Sequence, residues 1–436
     1  MLRVRSLIAF LPKTKLYGTR LLSTTSGGVA EPKLPTTADV IIVGGGVTGC
    51  SILYQLSKKG VNAVLLERGK ITCGTTFHTA GLIWSLRPNA LCMEVLKTTK
   101  EVFQELGAED VGWINNGTLF LAHDNKEMKE FEKMSTFARN FGIESHVMGA
   151  KEATEMFPLL SPDSFKGALF SPSDGVVDPS MLCNQLVKKS KANGCSVVEN
   201  CPVTKIITTQ TLDGGRKVTG VVTPYGDLMC GQIINARGLW SQEHLAHASF
   251  PFTTLKHSYV VTEPIPNVKR CPNVRDHNNS IYFRVQGDSL IVGGYEENPT
   301  VVNPTPPEDF QFQLYNMDWN TFNPLMSSSI KLLPSLNKTG VKSTVCGPEA
   351  FSMDRKPLIG PDRIVRGLFH SFAFSSNGMM LSGGCAEQVA EWIVNGEPSL
   401  DMSSYDIERF AGNLDRMYVQ QQCVSNYAKR PTASLQ

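Results

Sequence analysis

Long hydrophobic runs and ordered cysteine patterns are both missing from this 436-residue sequence. No apolar run approaches the roughly 18 residues that a transmembrane helix needs, so we expect no membrane span. The eleven cysteines are scattered, without a C-x-x-C pair or a zinc-type Cys/His spacing. Such usage indicates reduced thiols inside a cell and predicts neither a disulfide framework nor a metal site.

An excess of charge of one sign is also missing, because 42 Lys and Arg face 40 Asp and Glu. Residues 1–30 are the exception: they hold five basic residues, much Leu, Ser and Thr, and no acid before Glu31. This composition predicts a mitochondrial transit peptide without fixed structure, and a plain basic tail is the alternative. Without those five, 37 Lys and Arg remain against the acids, so we expect neither a nucleic-acid partner nor a polybasic membrane contact.

A glycine-rich turn follows the first apolar strand, within Asp39–Gly49, and predicts a dinucleotide-binding βαβ unit. Gly44, Gly46 and Gly49 fit G-x-G-x-x-G, whose glycines permit a tight turn, approach of a pyrophosphate and close helix packing. Glu67 ends a second apolar run, 18 residues after Gly49, where an acid binds ribose hydroxyls. An ordinary glycine-rich turn in an α/β protein is the alternative.

The rest of the chain alternates between α/β and β-rich patterns. Asp178, Pro179 and Gly194 bound a helix of a second βαβ crossover, by N-cap, first-turn and stop signals. From about residue 250, short strands separated by Pro and Gly turns indicate a largely antiparallel region. The last dozen residues are predicted to form a frayed tail. We predict a nucleotide-binding part over about 37–110, 170–245 and 345–400, and a substrate part mainly over 111–169 and 246–344.

Gly74–Leu82 contains His78 and resembles the flavin-attachment segment of the mitochondrial sarcosine and dimethylglycine dehydrogenases. The resemblance extends over essentially all of residues 37–430, which we identify as one FAD-dependent oxidoreductase domain. Further segments that carry the resemblance are Lys256–Glu263, Pro272–His277, Gly293–Glu296, Ser343–Glu349 and Asn377–Leu381.

The resemblance implies a fold like that of D-amino-acid oxidase: an α/β, Rossmann-like FAD-binding domain with an inserted, largely antiparallel α+β substrate domain. It implies FAD bonded through a ring nitrogen of His78, and a loop histidine held by hydrogen bonds is the alternative. The implied reaction is oxidative demethylation of sarcosine to glycine in the mitochondrial matrix. A hydride would pass from the N-methyl group to FAD, and electrons would leave to electron-transfer flavoprotein.

Two other functions are consistent with the same motifs. One is oxidation of dimethylglycine, which differs from sarcosine by one methyl group. The other is a non-catalytic, flavin-binding regulatory subunit related to that of pyruvate dehydrogenase phosphatase. A covalent flavin argues against the second, since tethering a cofactor has little use without redox chemistry.

His257 and Tyr259 alternate along a predicted strand, so their side chains share one face. The resemblance places this segment beside the substrate, where His257 would keep the amine unprotonated and Tyr259 would handle a hydrogen bond or proton. Packing in a sheet is the alternative for both. Arg87 and Arg284 are the candidates for binding the substrate carboxylate, and surface charge is the alternative for each.

Gly378 and Met379 belong to the glycine-rich start of the last strong helix. Its backbone N–H groups and helix dipole suit the electron-rich N1/C2=O edge of a reduced flavin. A plain glycine-rich helix start is the alternative.

The C-terminus departs from the family pattern. Members of the family carry a second half that resembles aminomethyltransferases and binds tetrahydrofolate, and this sequence stops near where that half would begin. We therefore expect the flavin half alone, without tetrahydrofolate as a partner and with free formaldehyde as the second product.

Overall fold

The computed structural model describes residues 33–242, 249–410, 412 and 415–427. The transit peptide predicted over residues 1–30 lies outside the described residues, so it stays a prediction. Within these ranges, no helix combines the length and the apolar character needed to cross a membrane.

The ranges that the structure describes contain nineteen strands, numbered in chain order. They are β1 Thr37–Val43, β2 Ala63–Leu66, β3 Leu82–Ile83, β4 Thr118–Ala122, β5 His146–Gly149, β6 Gly167–Ser171, β7 Gly175–Val176, β8 Ser196–Val198, β9 Lys205–Gln210, β10 Arg216–Thr223, β11 Gly226–Asn235, β12 Phe252–Thr262, β13 Asn273–Asp276, β14 Ile281–Gln286, β15 Ser289–Gly294, β16 Val341–Ser352, β17 Leu358–Pro361, β18 Val365–Arg366 and β19 Leu368–Phe372.

The described residues contain eight α-helices, and at several of them a side chain accepts the first N–H groups. At the second crossover helix, for example, Asp178 Oδ1 accepts the N–H groups of Ser180 and Met181 at 2.9 and 2.8 Å. The helices are α1 Val47–Lys58, α2 Ala90–Leu106, α3 Asn125–Arg139, α4 Ala150–Met156, α5 Pro179–Ala192, α6 Trp319–Leu332, α7 Gly378–Asn395 and α8 Arg416–Tyr427.

The first sheet has a parallel centre in the order β19-β11-β1-β2-β8. β17 pairs antiparallel with β19, and β9, β10 and β18 extend the sheet from β11. The strand Ala63–Leu66 is buried at every position, as expected for parallel strands covered on both faces. The carboxyl ends of these strands meet at one edge, which is where this type of sheet binds ligands.

The second sheet runs in the order β16-β12-β15-β14-β13-β4-β6-β5. Six of its seven neighbouring pairs are antiparallel, and β13 pairs with β4 in parallel. Its own core includes Phe283 and Phe322, both fully buried, and burial of such a side chain contributes roughly 1.5–3 kcal/mol. An α/β domain with a second, largely antiparallel sheet is therefore confirmed.

Close helix contacts fix the start of α7 over the parallel sheet. A Cβ on Gly384 would lie 2.1 Å from the backbone oxygen of Val95 in α2, so only glycine allows this approach. At the same point, the Gly384 N–H donates to Thr99 Oγ1 at 3.0 Å. The packing of α7 against α2 thus combines a close backbone approach with a hydrogen bond from a backbone N–H of α7 to a side-chain hydroxyl of α2.

Two segments differ from the sequence-based expectation. β16 pairs with β12 from Val341 to Ser352, so it lies in the second sheet although residues from 345 onward were expected in the nucleotide-binding part. The predicted tail is wrong for its first three residues, because Ser425–Tyr427 end helix α8. Tyr427 is fully buried in an aromatic cluster, and this long-range burial orders the segment.

Candidate active site

A large cleft opens where β1 and β2 end, beside the first turn of α7. The space between its walls is about 1230 Å³, and this figure includes space that is open to solvent. The residues around it include Gly44, Gly45, Gly46, Glu67, Thr75, Thr76, Thr79, Trp240, Glu349, Ser376, Gly378 and Met379.

Two glycines of the β1–α1 turn have no room for a side chain. A Cβ on Gly49 would lie 1.9 Å from the Gly44 carbonyl oxygen, and a Cβ on Gly44 would lie 2.5 Å from that of Ala236. Gly44 also has a φ of +114°, which favours glycine. Gly46 lines the cleft, and a Cβ added to it would lie 3.2 Å from Thr76 Oγ1. The Gly45 and Val47 N–H groups donate to Glu67 and to Thr76 Oγ1, so it is the backbone at Gly46 and the first turn of α1 that can approach a ligand. This cradle fits the pyrophosphate of a dinucleotide.

Glu67 follows β2 directly and lines the same cleft. Its carboxylate oxygens accept the N–H groups of Gly45 at 2.6 Å and Gly69 at 2.8 Å. Charge-assisted bonds of this kind are about twice as strong as neutral ones, so Glu67 fixes the glycine turn. Its bond to a ribose hydroxyl stays a prediction.

Gly378 and Met379 line the cleft at the first turn of α7. Ser375 and Ser376 precede them with φ values of 51° and 64°, a strained backbone that turns the chain sharply into the helix. The Asn377 side chain donates to the Ser375 carbonyl at 2.8 Å and stabilises this turn. The positive end of the α7 dipole lies at the cleft, where it favours negative charge. The assignment to the flavin edge stays a prediction.

His78 lies between two lining threonines but is not itself among the lining residues. Its ring packs against Gly347, where an added Cβ would lie 2.4 Å from the ring Cε1. Burial lowers the pKa of His78 to about 4, so the ring is neutral at physiological pH. Its Nε2 is buried and has no hydrogen-bond partner among the described residues. Buried polar atoms are normally paired, and a covalent bond to a cofactor would remove this deficit.

His257 lies next to His78 across the same glycine. β12 pairs His257 with Gly347 of β16, and directly opposed residues of paired strands are neighbours on one face. Because Gly347 has no side chain, the His78 ring takes that place. Burial, and after it the nearby His78, Arg275 and Arg355, lower the pKa of His257 to about 3. The His257 imidazole is therefore neutral.

Tyr259 is buried two residues further along β12. Burial raises the pKa of Tyr259 to about 12, which the nearby Arg284 partly offsets, so the phenol keeps its proton. Arg284 donates to Gln286 Oε1 at 2.8 Å, while its buried Nε has no hydrogen-bond partner among the described residues. The structure thus places Arg284 near Tyr259. Its role in carboxylate binding stays a prediction.

Arg87 has protein partners at the start of α7. Its Nη2 donates to Asn377 Oδ1 at 3.1 Å and contacts the sulfur of Met380 at 2.8 Å. These bonds hold the helix start through Nη2, while the buried Nε of Arg87 has no hydrogen-bond partner among the described residues. Arg87 is therefore less suited to bind a substrate carboxylate than an arginine whose terminal nitrogens donate to no protein group.

Arg275 is the arginine that the sequence analysis missed. It is 2% exposed, and its Nε and Nη1 have no hydrogen-bond partner among the described residues. Its guanidinium carbon lies 4.7 Å from the ring centroid of Trp84, 5.0 Å from that of Tyr295 and 5.9 Å from that of Tyr282. Burial lowers the pKa of Arg275 to about 10, so it remains a cation at neutral pH.

A buried cation without a carboxylate is costly, by several kcal/mol even after relaxation. The aromatic rings around Arg275 offset part of this cost through cation–π attraction. An anionic ligand would offset more, because a guanidinium can bind a carboxylate with two parallel hydrogen bonds. No local sequence signal distinguishes Arg275, since its unpaired state depends on contacts with distant strands.

Glu349 is a second residue that the sequence analysis did not assign. It lines the cleft and accepts a hydrogen bond from the Ser376 hydroxyl at 2.5 Å. Burial raises the pKa of Glu349 to about 7. Its charge also contributes to the raised pKa of Tyr259 and of Tyr282, so Glu349 lies between the cleft and the tyrosines of the second sheet.

A third unassigned group links His257 to the last helix. His257 Nδ1 lies 2.8 Å from Tyr427 Oη, and that hydroxyl donates to Glu296 Oε2 at 2.5 Å. All three side chains are buried. The partners stand 170 and 131 residues apart in sequence, which is why no local pattern indicated them. The ranges that the structure covers hold no group of three or more His, Cys, Asp or Glu that could bind a metal.

Comparison with known proteins identifies relatives over nearly the whole chain. Residues 39–392 match the FAD dependent oxidoreductase family. Human mitochondrial sarcosine dehydrogenase is 42% identical over 93% of this chain and 45% of its own length. The mouse mitochondrial pyruvate dehydrogenase phosphatase regulatory subunit is 28% identical over 92% of this chain and 46% of its own length. The chain thus spans less than half the length of these curated relatives.

A solved structure has the same architecture. L-proline dehydrogenase from P. horikoshii superposes with a TM-score of 0.77, at 25% identity, over 86% of this chain and 98% of its own. The expected two-part flavoprotein fold, like that of D-amino-acid oxidase, is thereby confirmed.

Proposed function

We propose that this chain, which belongs to the FAD dependent oxidoreductase family, binds FAD in the cleft and oxidatively demethylates sarcosine. Support for the cofactor comes from the glycine turn at Gly44 and Gly49, the carboxylate of Glu67 and the start of α7 at Gly378. These groups suit a pyrophosphate, a ribose and an electron-rich ring edge in turn. When bound, FAD supplies the two-electron acceptor for the N-methyl C–H bond.

The buried, unpaired guanidinium of Arg275 is the observation that carries the substrate assignment. Sarcosine has one carboxylate and one secondary amine, and the carboxylate matches the two unpaired nitrogens of Arg275. Trp84, Tyr282 and Tyr295 surround the guanidinium and exclude water, which strengthens the ion pair. A carboxylate held there would place the amine among the buried rings of the second sheet.

The amine must lose its proton, because only a free lone pair assists departure of a hydride from the neighbouring carbon. His257 is neutral for the reason given above, so it can accept that proton. Tyr259 keeps its own proton and can donate a hydrogen bond. The oxidised iminium then hydrolyses to glycine and formaldehyde.

We extend the proposal to a covalent bond between His78 and FAD, to the electron acceptor and to the subcellular location. The unpartnered Nε2 of His78 supports a covalent bond to FAD. Electron transfer to electron-transfer flavoprotein and residence in the mitochondrial matrix rest on the resemblance to sarcosine dehydrogenase. Mitochondrial residence is further supported by the names of the relatives.

An anaerobic titration of the purified chain with sarcosine, followed by visible flavin absorbance, tests the proposal. We expect bleaching with sarcosine and weaker bleaching at equal concentrations of dimethylglycine. Stronger bleaching with dimethylglycine would reverse the substrate assignment, since one methyl group changes binding by only about 1–3 kcal/mol. A yellow protein that stays oxidised with both would overturn the enzyme proposal and favour a regulatory flavoprotein. A colourless protein would overturn cofactor binding by this chain.

A further inference from the structure

We propose that Glu296 and Tyr427 position His257 for the substrate amine, by setting which of its ring nitrogens carries the proton. The three side chains form one hydrogen-bond chain, from His257 Nδ1 through Tyr427 Oη to Glu296 Oε2. The inference rests on the amine oxidation proposed above only for the identity of the proton donor. Tyr427 and Glu296 are positioning residues, since they act through His257.

The geometry of the chain couples its two ends. A phenol has one hydrogen to donate. When Glu296 is a carboxylate, Tyr427 donates to it at 2.5 Å, so the phenolic oxygen can only accept, and Nδ1 must carry the hydrogen. Nε2 of His257 is then a bare lone pair and can take a proton from the substrate ammonium.

Protonation of Glu296 reverses the direction of both hydrogen bonds between Glu296, Tyr427 and His257. The carboxylic acid donates to Tyr427, the phenol donates to His257 Nδ1, and the hydrogen of the imidazole moves to Nε2. In that state His257 can donate a hydrogen bond but cannot accept the amine proton. Tyr427 Oη has one other acceptor nearby, the Lys256 carbonyl oxygen at 3.5 Å, and this distance is too long to compete.

The proton step balances within these groups. The substrate ammonium gives a proton to Nε2 of His257, Nδ1 gives its proton to the Tyr427 oxygen, and the phenol gives its own to Glu296. An ammonium and a carboxylate thus become an amine and a carboxylic acid, without a lasting charge on the imidazole. This matters because burial makes the imidazolium unfavourable: it lowers the pKa of His257 to about 3.

The surroundings place the transition in the physiological range. Burial raises the pKa of Glu296 to about 7, against the hydrogen bonds from Tyr427 and Ser258, and Glu349 raises it further. Burial, followed by Glu296, holds the pKa of Tyr427 well above its ordinary value, so the phenol stays neutral in both states. The other charged or titratable groups that act on His257 are His78, Arg275 and Arg355.

The test measures the His257 tautomer directly, by NMR of the full chain with flavin bound and with ¹⁵N-labelled histidine rings. A His257→Asn variant assigns the signals. We expect hydrogen on Nδ1 at pH 8.5 and on Nε2 at pH 5.5, with no imidazolium signal. Glu296→Gln cannot ionise and should hold one tautomer at both pH values, as should Tyr427→Phe, which cuts the chain. Tyr418→Phe, an exposed tyrosine of the same helix, is the matched control and should behave as the parent.

A kinetic arm uses the rate of flavin reduction at low sarcosine. In the parent, this rate should fall about tenfold for each pH unit by which the pH drops below the pKa of Glu296. This acid limb of the pH profile should be absent in Glu296→Gln and Tyr427→Phe. A His257 tautomer that does not change with pH in the parent would overturn the proposal, as would a limb that persists in both variants. If sarcosine fails to reduce the flavin at all, the proposed function fails while the NMR result still decides this inference.

Discussion

The cofactor cleft and the substrate side of this molecule are built in opposite ways. Around the cleft, the groups proposed to face the cofactor include the backbone of the glycine turn, and the carboxylate of Glu67 accepts two backbone N–H groups there. In the second sheet, the groups proposed to face the substrate are buried side chains. Arg275 has unpaired nitrogens there, and two carboxyl groups, Glu296 and Glu349, each have a pKa raised by burial to about 7.

The difference matches what each part is proposed to bind. A pyrophosphate needs several weak, fixed dipoles, and backbone groups supply these with little desolvation cost. A small amino acid offers one carboxylate and one amine, so each contact must be strong and therefore buried. The cleft is consequently sensitive to shape, and the substrate side is sensitive to charge and pH.

The largest effect should come from shape at the cleft. Gly49→Ala places a Cβ 1.9 Å from the Gly44 carbonyl oxygen, so the β1–α1 turn must move. We expect a purified protein without visible flavin absorbance, or no folded protein. Gly231→Ala is the control, because its Cβ would meet Asp39 O at an ordinary 3.6 Å. Full flavin content in Gly49→Ala would contradict the dinucleotide assignment of this turn.

On the proposed substrate side, loss of a charged group should have the largest effect on activity. Arg275→Met keeps an unbranched, flexible stem but removes the guanidinium. We expect kcat/KM for sarcosine to fall by about 10²–10³, since losing a buried charged partner costs about 2–5 kcal/mol. The thermal midpoint should not fall, because the change removes an unpaired buried charge.

Arg284→Met is the comparison for Arg275→Met. Arg284 lies on the neighbouring strand and donates to Gln286. We therefore expect kcat/KM for sarcosine to fall by less than about tenfold in Arg284→Met, on the scale of an exposed ion pair. A larger loss in Arg284→Met than in Arg275→Met would return the carboxylate site to Arg284.

Loss of the proposed covalent bond at His78 should weaken flavin binding less than a change in the glycine turn does. In His78→Ala we expect the flavin to stay bound in the native protein, because the cradle is intact, but to separate on acid precipitation. The parent should retain flavin in the precipitate. His146→Ala, an exposed histidine, is the control. Flavin that remains with the precipitated His78→Ala polypeptide would exclude His78 as the attachment residue.

The smallest effect concerns stability. The folded protein raises the pKa of Glu349 from 4.5 to about 7, so the folded state holds a proton that the unfolded state has lost between these values. Stability therefore falls as pH rises from about 4.5 to 7. Glu349→Gln cannot ionise, and we expect it to be more stable than the parent above pH 7, by about 3 kcal/mol.

Thermal midpoints at pH 8 and pH 5 check this prediction. The gain in Glu349→Gln should be present at pH 8 and absent at pH 5, where the parent is already protonated in the folded state. Glu132→Gln, an exposed change on α3, should shift neither midpoint. Equal midpoints of Glu349→Gln and the parent at both pH values would show that Glu349 ionises freely.

Much of the cofactor side could be predicted because its signals are local. Gly44, Gly46 and Gly49 lie within six residues, and Glu67 follows at the end of the next strand, so the motif and its structure share one short segment. His257 and Tyr259 were indicated by strand alternation, and both are buried in β12. The β-rich region after residue 250 was indicated by its turns.

The substrate side could be predicted only in outline. Arg275 looked like any arginine of a short strand, and Arg87 and Arg284 had equal claims until their partners were known. Tyr427 fell in a segment expected to be a tail. What the sequence left open has one cause: whether a polar side chain is paired depends on residues far away in sequence, as in the pair of His257 with Tyr427, 170 residues apart.

The amino-acid sequence by itself determined the dinucleotide turn and the two-part fold, because strand and helix periodicity and glycine spacing are local properties of the chain. The candidate flavin-attachment histidine came from the resemblance of Gly74–Leu82 to a known segment. Only the tertiary structure decided which arginine is left without a partner, which carboxyl groups are buried, and which hydroxyl reaches His257. The physical reason is desolvation. A charge acquires its strength, and a carboxyl group or imidazole its shifted pKa, when distant segments close around it and remove water.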